Sequence, residues 1–372
     1  MNDDDGRRRA WGWVAHLRSG GSTPWQVWRE RGDAGADVAS GRALPGAQQL
    51  ELLRRLNETG RPSARLVDRV LEASAAGRGS PDLELVGAAT ESAFGPRPVD
   101  PARLPTGELL RVATALLAED LAGVEPGAPP TARTRPWRRG VRVVGDPAAA
   151  QVAQRAQSAR GVAVGHRSPV VVAGGPLRRL LADVWVDRCF AGGAPRWEPW
   201  LLGLEQRRRV PPRVDLARVA DTWARRSGVE RVTVELEPRP RGGEPERPSA
   251  DAAELARRVA PVLGLMVTPA RRARLLGDVL RPRLVRLPGG LDDGRDGLGV
   301  PEERDEWVTR RARRMAEALT RGDYAVAGDP HAVLPAELPG VAPTGSGALA
   351  LAIRALGETG AATGKATGEA DR

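Results

Sequence analysis

The stretch from Arg139 to Phe190 constrains the fold more than any other, because two kinds of periodicity alternate in it twice. Val141, Val143 and Val144 form a β-branched run that ends at Gly145-Asp146-Pro147. Proline suits the first turn of a helix, where its missing N–H costs nothing, and aspartate is a good N-cap just before it. Ala149, Val152, Ala153 and Ala156 then recur at helical spacing until Gly161. Val170-Val171-Val172-Ala173 is continuously apolar, as expected of a strand buried on both faces. Gly174-Gly175-Pro176 turns into a second helix with Leu177, Leu180, Leu181, Val184 and Trp185 inward. Strand, helix, strand, helix implies parallel strands joined by right-handed crossovers. Ligands of such sheets sit at the carboxyl ends of the strands, which here are the Gly145-Asp146 and Gly174-Gly175 loops. Arg178 and Arg179, on the helix after the second loop, are the nearest cations.

The rest of the chain frames this unit. Residues 1–123 read as helices only, with apolar positions at helical spacing over 46–57, from Ser63 to Leu71, and over 107–121. Ser63 and Thr106 are expected N-caps, and the prolines between residues 77 and 105 interrupt any long element. Residues 124–138 form a proline-rich linker. Residues 139–337 continue as a three-layer α/β domain with a mainly parallel sheet, a third strand at 231–236 and a long helix at 302–320. The polar stretches 237–249 and 289–299 read as surface excursions. Residues 338–372, rich in Gly, Ala and Thr, read as a flexible tail with one short helix at 348–356.

Trp11, Trp13, Trp25 and Trp28 crowd into one short segment. Two readings stay open for them: indoles docked into a core, as terminal segments are usually pinned, or an aromatic partner-binding surface with His16 at its rim. Thr23 and Pro24 are expected to cap and start the helix that carries Trp25.

Several function classes fall away on composition. No apolar run approaches the ~20 residues a membrane-spanning helix needs, and the N-terminal residues lack the apolar core of a secretory signal. One cysteine, Cys189, rules out an internal disulfide framework and fits a reducing cytoplasm. His16, His166 and His331 have no metal-ligand spacing to one another, so no metal site is expected. Arginine supplies 56 of the 57 basic residues, and Lys365 is the one lysine. Lysine-dependent phosphate loops and Schiff bases are thereby excluded outside the tail. The net charge of +10 is gathered partly at residues 207–209, 271–274 and 310–314. Acidic neighbours such as Glu302, Glu306 and Glu317 explain the last cluster by pairing on the helix surface, which makes nucleic acid an unlikely partner.

The order of Gly145-Asp-Pro, Ala173-Gly-Gly-Pro, Trp197-Glu-Pro-Trp200 and the strand at 231–236 resembles bacterial sulfotransferase-like proteins of GC-rich actinobacteria. The ending, a long helix followed by Gly322-Asp-Tyr-Ala-Val-Ala-Gly-Asp329-Pro-His, is similar to that family's C-terminal pattern. The resemblance covers residues 141–335. It implies a P-loop-like topology and use of 3′-phosphoadenylyl sulfate (PAPS), leaving 3′-phosphoadenosine 5′-phosphate (PAP). The family's phosphosulfate loop carries a lysine and small hydroxyl residues, where this chain has Asp146 and alanines. Its 3′-phosphate arginine falls at Gly175, and its helix serine falls near Asp183. Sulfuryl transfer needs cations or N–H donors where charge develops. The expectation is therefore a degenerate, non-catalytic domain that serves in binding or scaffolding, with no cofactor. The alternatives are an active transferase using PAPS, with Arg178, Arg179 and His166 as anion and acid–base groups, and arginine-mediated nucleic-acid binding.

Overall fold

A computed structural model describes residues 3–31, 43–73, 83–88, 98–127, 135–236, 246–291, 298–334 and 341–369. Most of the expected linker (128–134) and parts of both polar excursions (237–245 and 292–297) lie outside the described residues. The chain divides into two compact units. One comprises 1–124, 258–275 and 344–372, and the other comprises 125–257 and 276–343.

The first unit opens with helices α1 (Asp3–Arg18), α2 (Trp25–Arg31), α3 (Ala47–Thr59), α4 (Ala64–Glu72) and α5 (Thr106–Ala122). Helix α1 begins in the charged N-terminal run, and Asp5 and Arg9 form an i,i+4 ion pair on it. Ser63 caps α4 through the N–H of Leu66, as expected. Thr106 does not cap α5; it is the first helical residue and follows Pro105. The unit is not helical throughout, since Leu85 and Val99 form a parallel bridge.

The second unit holds a four-stranded parallel sheet. Its elements are β1 (Arg135–Arg139), β2 (Arg142–Gly145), α6 (Pro147–Ala159), β3 (Val162–Ala163), β4 (Val170–Gly174), α7 (Leu177–Ala191), α8 (Trp197–Gln206), α9 (Leu216–Ser227) and β5 (Val232–Leu236). Helices α10 (Ala250–Leu263), α11 (Pro269–Arg274), α12 (Arg281–Arg286) and α13 (Asp305–Arg321) precede β6 (Ala325–Ala327), and α14 (Gly345–Glu369) follows. Strand β1 is part of the expected linker, and it pairs with β3. The main sheet runs β2-β4-β5-β6, every pair parallel. Strands follow one another in chain order, so no reversal among these four opens a switch-point crevice.

Burial follows the patterning. All of β4 is buried, β5 alternates buried and half-buried, and β2 at the edge is half-buried along its length. Helix α9 packs along β2, β4 and β5, while α6 packs on β2 and α7. Trp197 stacks on Trp200 with ring centroids 5.4 Å apart and meets Trp185 edge-to-face at 5.5 Å.

Two expectations about the domain organisation are corrected. The flexible tail is instead α14, which packs on α5, α3 and α4 and buries Leu349, Leu351, Ile353 and Leu356. The helices at 258–275 also belong to the first unit, where Arg271 donates to the carbonyls of Ala122 and Val124 at 3.1 and 3.3 Å. That contact satisfies backbone acceptors left over at the C-terminal end of α5.

Candidate functional site

The two glycine loops carry the first expectation about function, and protein atoms pack closely against Gly145 and Gly174. Gly145 has φ +93°, a region that suits glycine. A β-carbon there would stand 2.3 Å from the carbonyl oxygen of Ala173. At Gly174 a β-carbon would stand 2.2 Å from Leu216 Cδ1. Leu216 is fully buried and opens α9, so a leucine seals the carboxyl ends of β2 and β4. These glycines are packing glycines. Gly175 alone has open space beside it.

Asp146 does what its position suggests, with a consequence for anions. Its Oδ1 accepts from the N–H groups of Ala148 and Ala149 at 2.8 and 3.3 Å. A phosphate at the N-terminus of α6 would need those same donors, and it would meet a carboxylate in their place. The other residues expected at the loops disperse. Arg178 pairs with Asp305, and Arg179 and His166 are exposed. Among the described residues no contact joins Arg178, Arg179 and His166 into an acid–base set.

The tryptophans resolve toward the core reading. Trp13 and Trp25 are buried with ring centroids 5.3 Å apart. Their indole N–H groups donate to the carbonyls of Thr23 and Val86 at 2.9 and 3.0 Å. Trp28 donates to Arg9 O at 3.2 Å, and His16 stacks on it at 4.7 Å. The Thr23 hydroxyl meets His16 Nε2 at 3.0 Å. Trp11 is half-buried, and its N–H has no partner among the described residues. Four of the five residues proposed as a partner surface are thus tied to one another or to backbone. The signal was ambiguous because a buried indole and a recognition indole share one residue type.

Two features escaped the sequence reading. The first is a buried charge cluster. Arg247 Nε lies 3.1 and 3.2 Å from the two oxygens of Asp183, and its Nη2 lies 3.6 Å from Asp146 Oδ2. Burial pushes the Asp183 carboxyl up to about 7, with Arg247 opposing the shift and Asp146 adding to it. A cavity of about 20 Å³, lined by Asp183, Arg247 and Arg281 among others, adjoins it and could hold a water. Cys189 offers no nucleophile nearby, being buried with its thiol pushed up by desolvation.

The second is a groove of about 550 Å³ at the open edge of the sheet. Val143, Val144 and Gly145 of β2 line it, with Gln151 and Gln154 on α6 and Trp223 on α9. Arg142 and Arg226 sit over the Trp223 ring, at 5.1 and 5.8 Å from its centroid. Arg213 and Arg218 add positive charge, and the carboxylate there, Asp187, is held by Arg213 at 3.0 Å. Just before β2, Gln157 Oε1 accepts from Val141 N–H and Gln157 Nε2 donates to Val141 O, each at 3.0 Å. A side-chain amide thereby stands where a neighbouring strand's peptide group would.

Among the described residues no group of His, Cys, Asp or Glu is placed to hold a metal ion, and no helix is long and apolar enough to cross a membrane. No protein-family model, curated protein or solved structure matches this chain.

Proposed function

We propose that the chain is a non-catalytic binding or scaffolding protein, its α/β unit a degenerate form of the sulfotransferase-like fold. The observation that carries this reading is Asp146. It occupies the N–H groups of Ala148 and Ala149 that a cofactor phosphate would require. Leu216 supports it by filling the space against Gly174. Sulfuryl transfer would need positive charge or donors at the first loop, and that loop presents a carboxylate and alanines. The sequential strand order lends nothing to a P-loop-like topology, so the likeness to sulfotransferases rests on the sequence pattern. The lone cysteine, Cys189, fits the proposal of a reducing cytoplasm. Calorimetric titration of the full chain with PAP tests the reading. No heat of binding is expected, and a dissociation constant tighter than ~10 micromolar would overturn it.

A further inference from the structure

Strand β2 is an edge strand, and its ladder can be followed atom by atom. The N–H of Arg142 bonds to Pro169 O and that of Asp146 to Ala173 O, at 2.8 and 2.9 Å. In a parallel ladder alternate residues face the same neighbour, so residues 142, 144 and 146 face β4. Val141, Val143 and Gly145 therefore turn their backbone groups to the open side. Gln157 closes the Val141 pair. The next two outward positions, Val143 and Gly145, have no hydrogen-bond partner among the described residues, and both line the groove. Gln154 and Gln151 precede Gln157 at three-residue steps on α6, so they run alongside this edge without closing it.

We propose that this groove takes an extended acidic peptide of a partner protein, which adds a strand to β2. The proposal rests on the binding reading above and names its partner class and mode. Backbone pairing would come from Val143 and Gly145, in the manner of strand addition to exposed sheet edges. Gln157 shows that this edge pairs with a planar amide when one is supplied. Acidic character follows from the walls: Arg218 forms no ion pair among the described residues, Arg142 and Arg226 lie on Trp223, and Asp187 is already neutralised by Arg213. Charge complementarity of this kind selects partners more than it adds affinity. A half-apolar edge left bare invites pairing with another copy, and the arginines around it oppose that by repulsion.

The test is fluorescence anisotropy of the full chain with a labelled, N-acetylated peptide of alternating valine and glutamate, and with its valine–lysine counterpart. The glutamate peptide is expected to bind tighter than ~100 micromolar and about tenfold tighter than the lysine peptide. Val143→Pro removes an outward N–H and leaves the β4 ladder intact, which an edge strand tolerates. It is expected to weaken binding about tenfold with an unchanged circular-dichroism spectrum. Because this variant could fail to fold, Arg218→Glu serves beside it and is expected to reverse the peptide preference. Equal affinity for both peptides, no binding of either, or binding indifferent to both variants would overturn the proposal. So would concentration-dependent self-association that Val143→Pro abolishes, since the occupant would then be a second copy. Inert PAP with no peptide bound defeats the docking proposal alone, whereas PAP binding defeats the functional reading.

Discussion

Leu216 Cδ1 lies 2.2 Å from the point where a β-carbon on Gly174 would stand. A side chain from α9 thus occupies the place where ligands of parallel sheets usually enter. Gly174→Ala is expected to force Leu216 or β4 to shift, at ~1–3 kcal/mol of stability. Leu216→Ala is expected to cost ~2–5 kcal/mol by leaving a cavity. Urea unfolding of both variants measures this. Little loss in either would mean that the two residues are not in the contact described.

Asp183 and Asp146 share the Arg247 guanidinium, and burial raises the Asp183 pKa from 3.8 to about 7. A carboxyl with a raised folded-state pKa binds its proton more tightly when folded. Its stabilisation is therefore full below about pH 4 and is lost as pH rises through about 7. Asp183→Asn should flatten this dependence, and the wild-type slope within the window approaches ~1.4 kcal/mol per pH unit. Urea midpoints compared across the window decide it; parallel curves for the two proteins would count against the raised pKa.

Helix α14 completes the first unit through Leu349, Leu351, Ile353 and Leu356. Removing residues 344–372 is expected to expose α5 and α3 and to yield aggregating protein. Leu356→Ala alone should cost ~2–5 kcal/mol. A truncated chain that stays monodisperse with native ellipticity would show the helix to be dispensable.

Trp25 donates its indole N–H to Val86 O at 3.0 Å. Trp25→Phe keeps most of the apolar surface and removes that bond, so a loss of ~0.5–1.5 kcal/mol is expected from the bond, plus some for lost volume. Near-ultraviolet circular dichroism and thermal unfolding read it. No destabilisation would reopen the case for Trp25 as a recognition residue.

Arg311 lies close to Arg208 and Arg314, and burial together with those like charges lowers its pKa. Weak, sequence-independent polyanion binding is expected at this cluster, falling steeply with salt. Arg311→Ala should reduce retention on heparin, while nanomolar affinity for one nucleic-acid sequence at physiological salt would contradict the expectation.

The sequence made some of these relationships readable and hid others for identifiable reasons. Asp146 and Pro147 announce a capped helix because the signal is local, and the structure places both as expected. The existence of β4 and β5 is equally local, one announced by a run of valines and the other by apolar alternation. Gly174 misled because a glycine for close packing and a glycine for a ligand look alike until Leu216 arrives from far along the chain. Gln157 carries no signal of its own in the sequence, because its role exists only once α6 lies beside Val141. The alanines and glycines of the C-terminal stretch masked the leucine spacing that makes α14 a core helix. Arg247 follows a polar, proline-rich segment that offers no periodicity to read.

The first unit draws its chain from three separated segments, and that has a consequence for synthesis. On a ribosome the helices α1 to α5 emerge early, yet their partners at 258–275 follow only after β5, and α14 only after β6 has completed the parallel sheet. The unit that starts first finishes last. Its leucine-rich surfaces must wait in the nascent chain, shielded by chaperones or by transient collapse, and the second unit folds while they wait. A codon-level pause or a stop shortly before Thr344 would strand the protein with one unit finished and the other open to proteolysis.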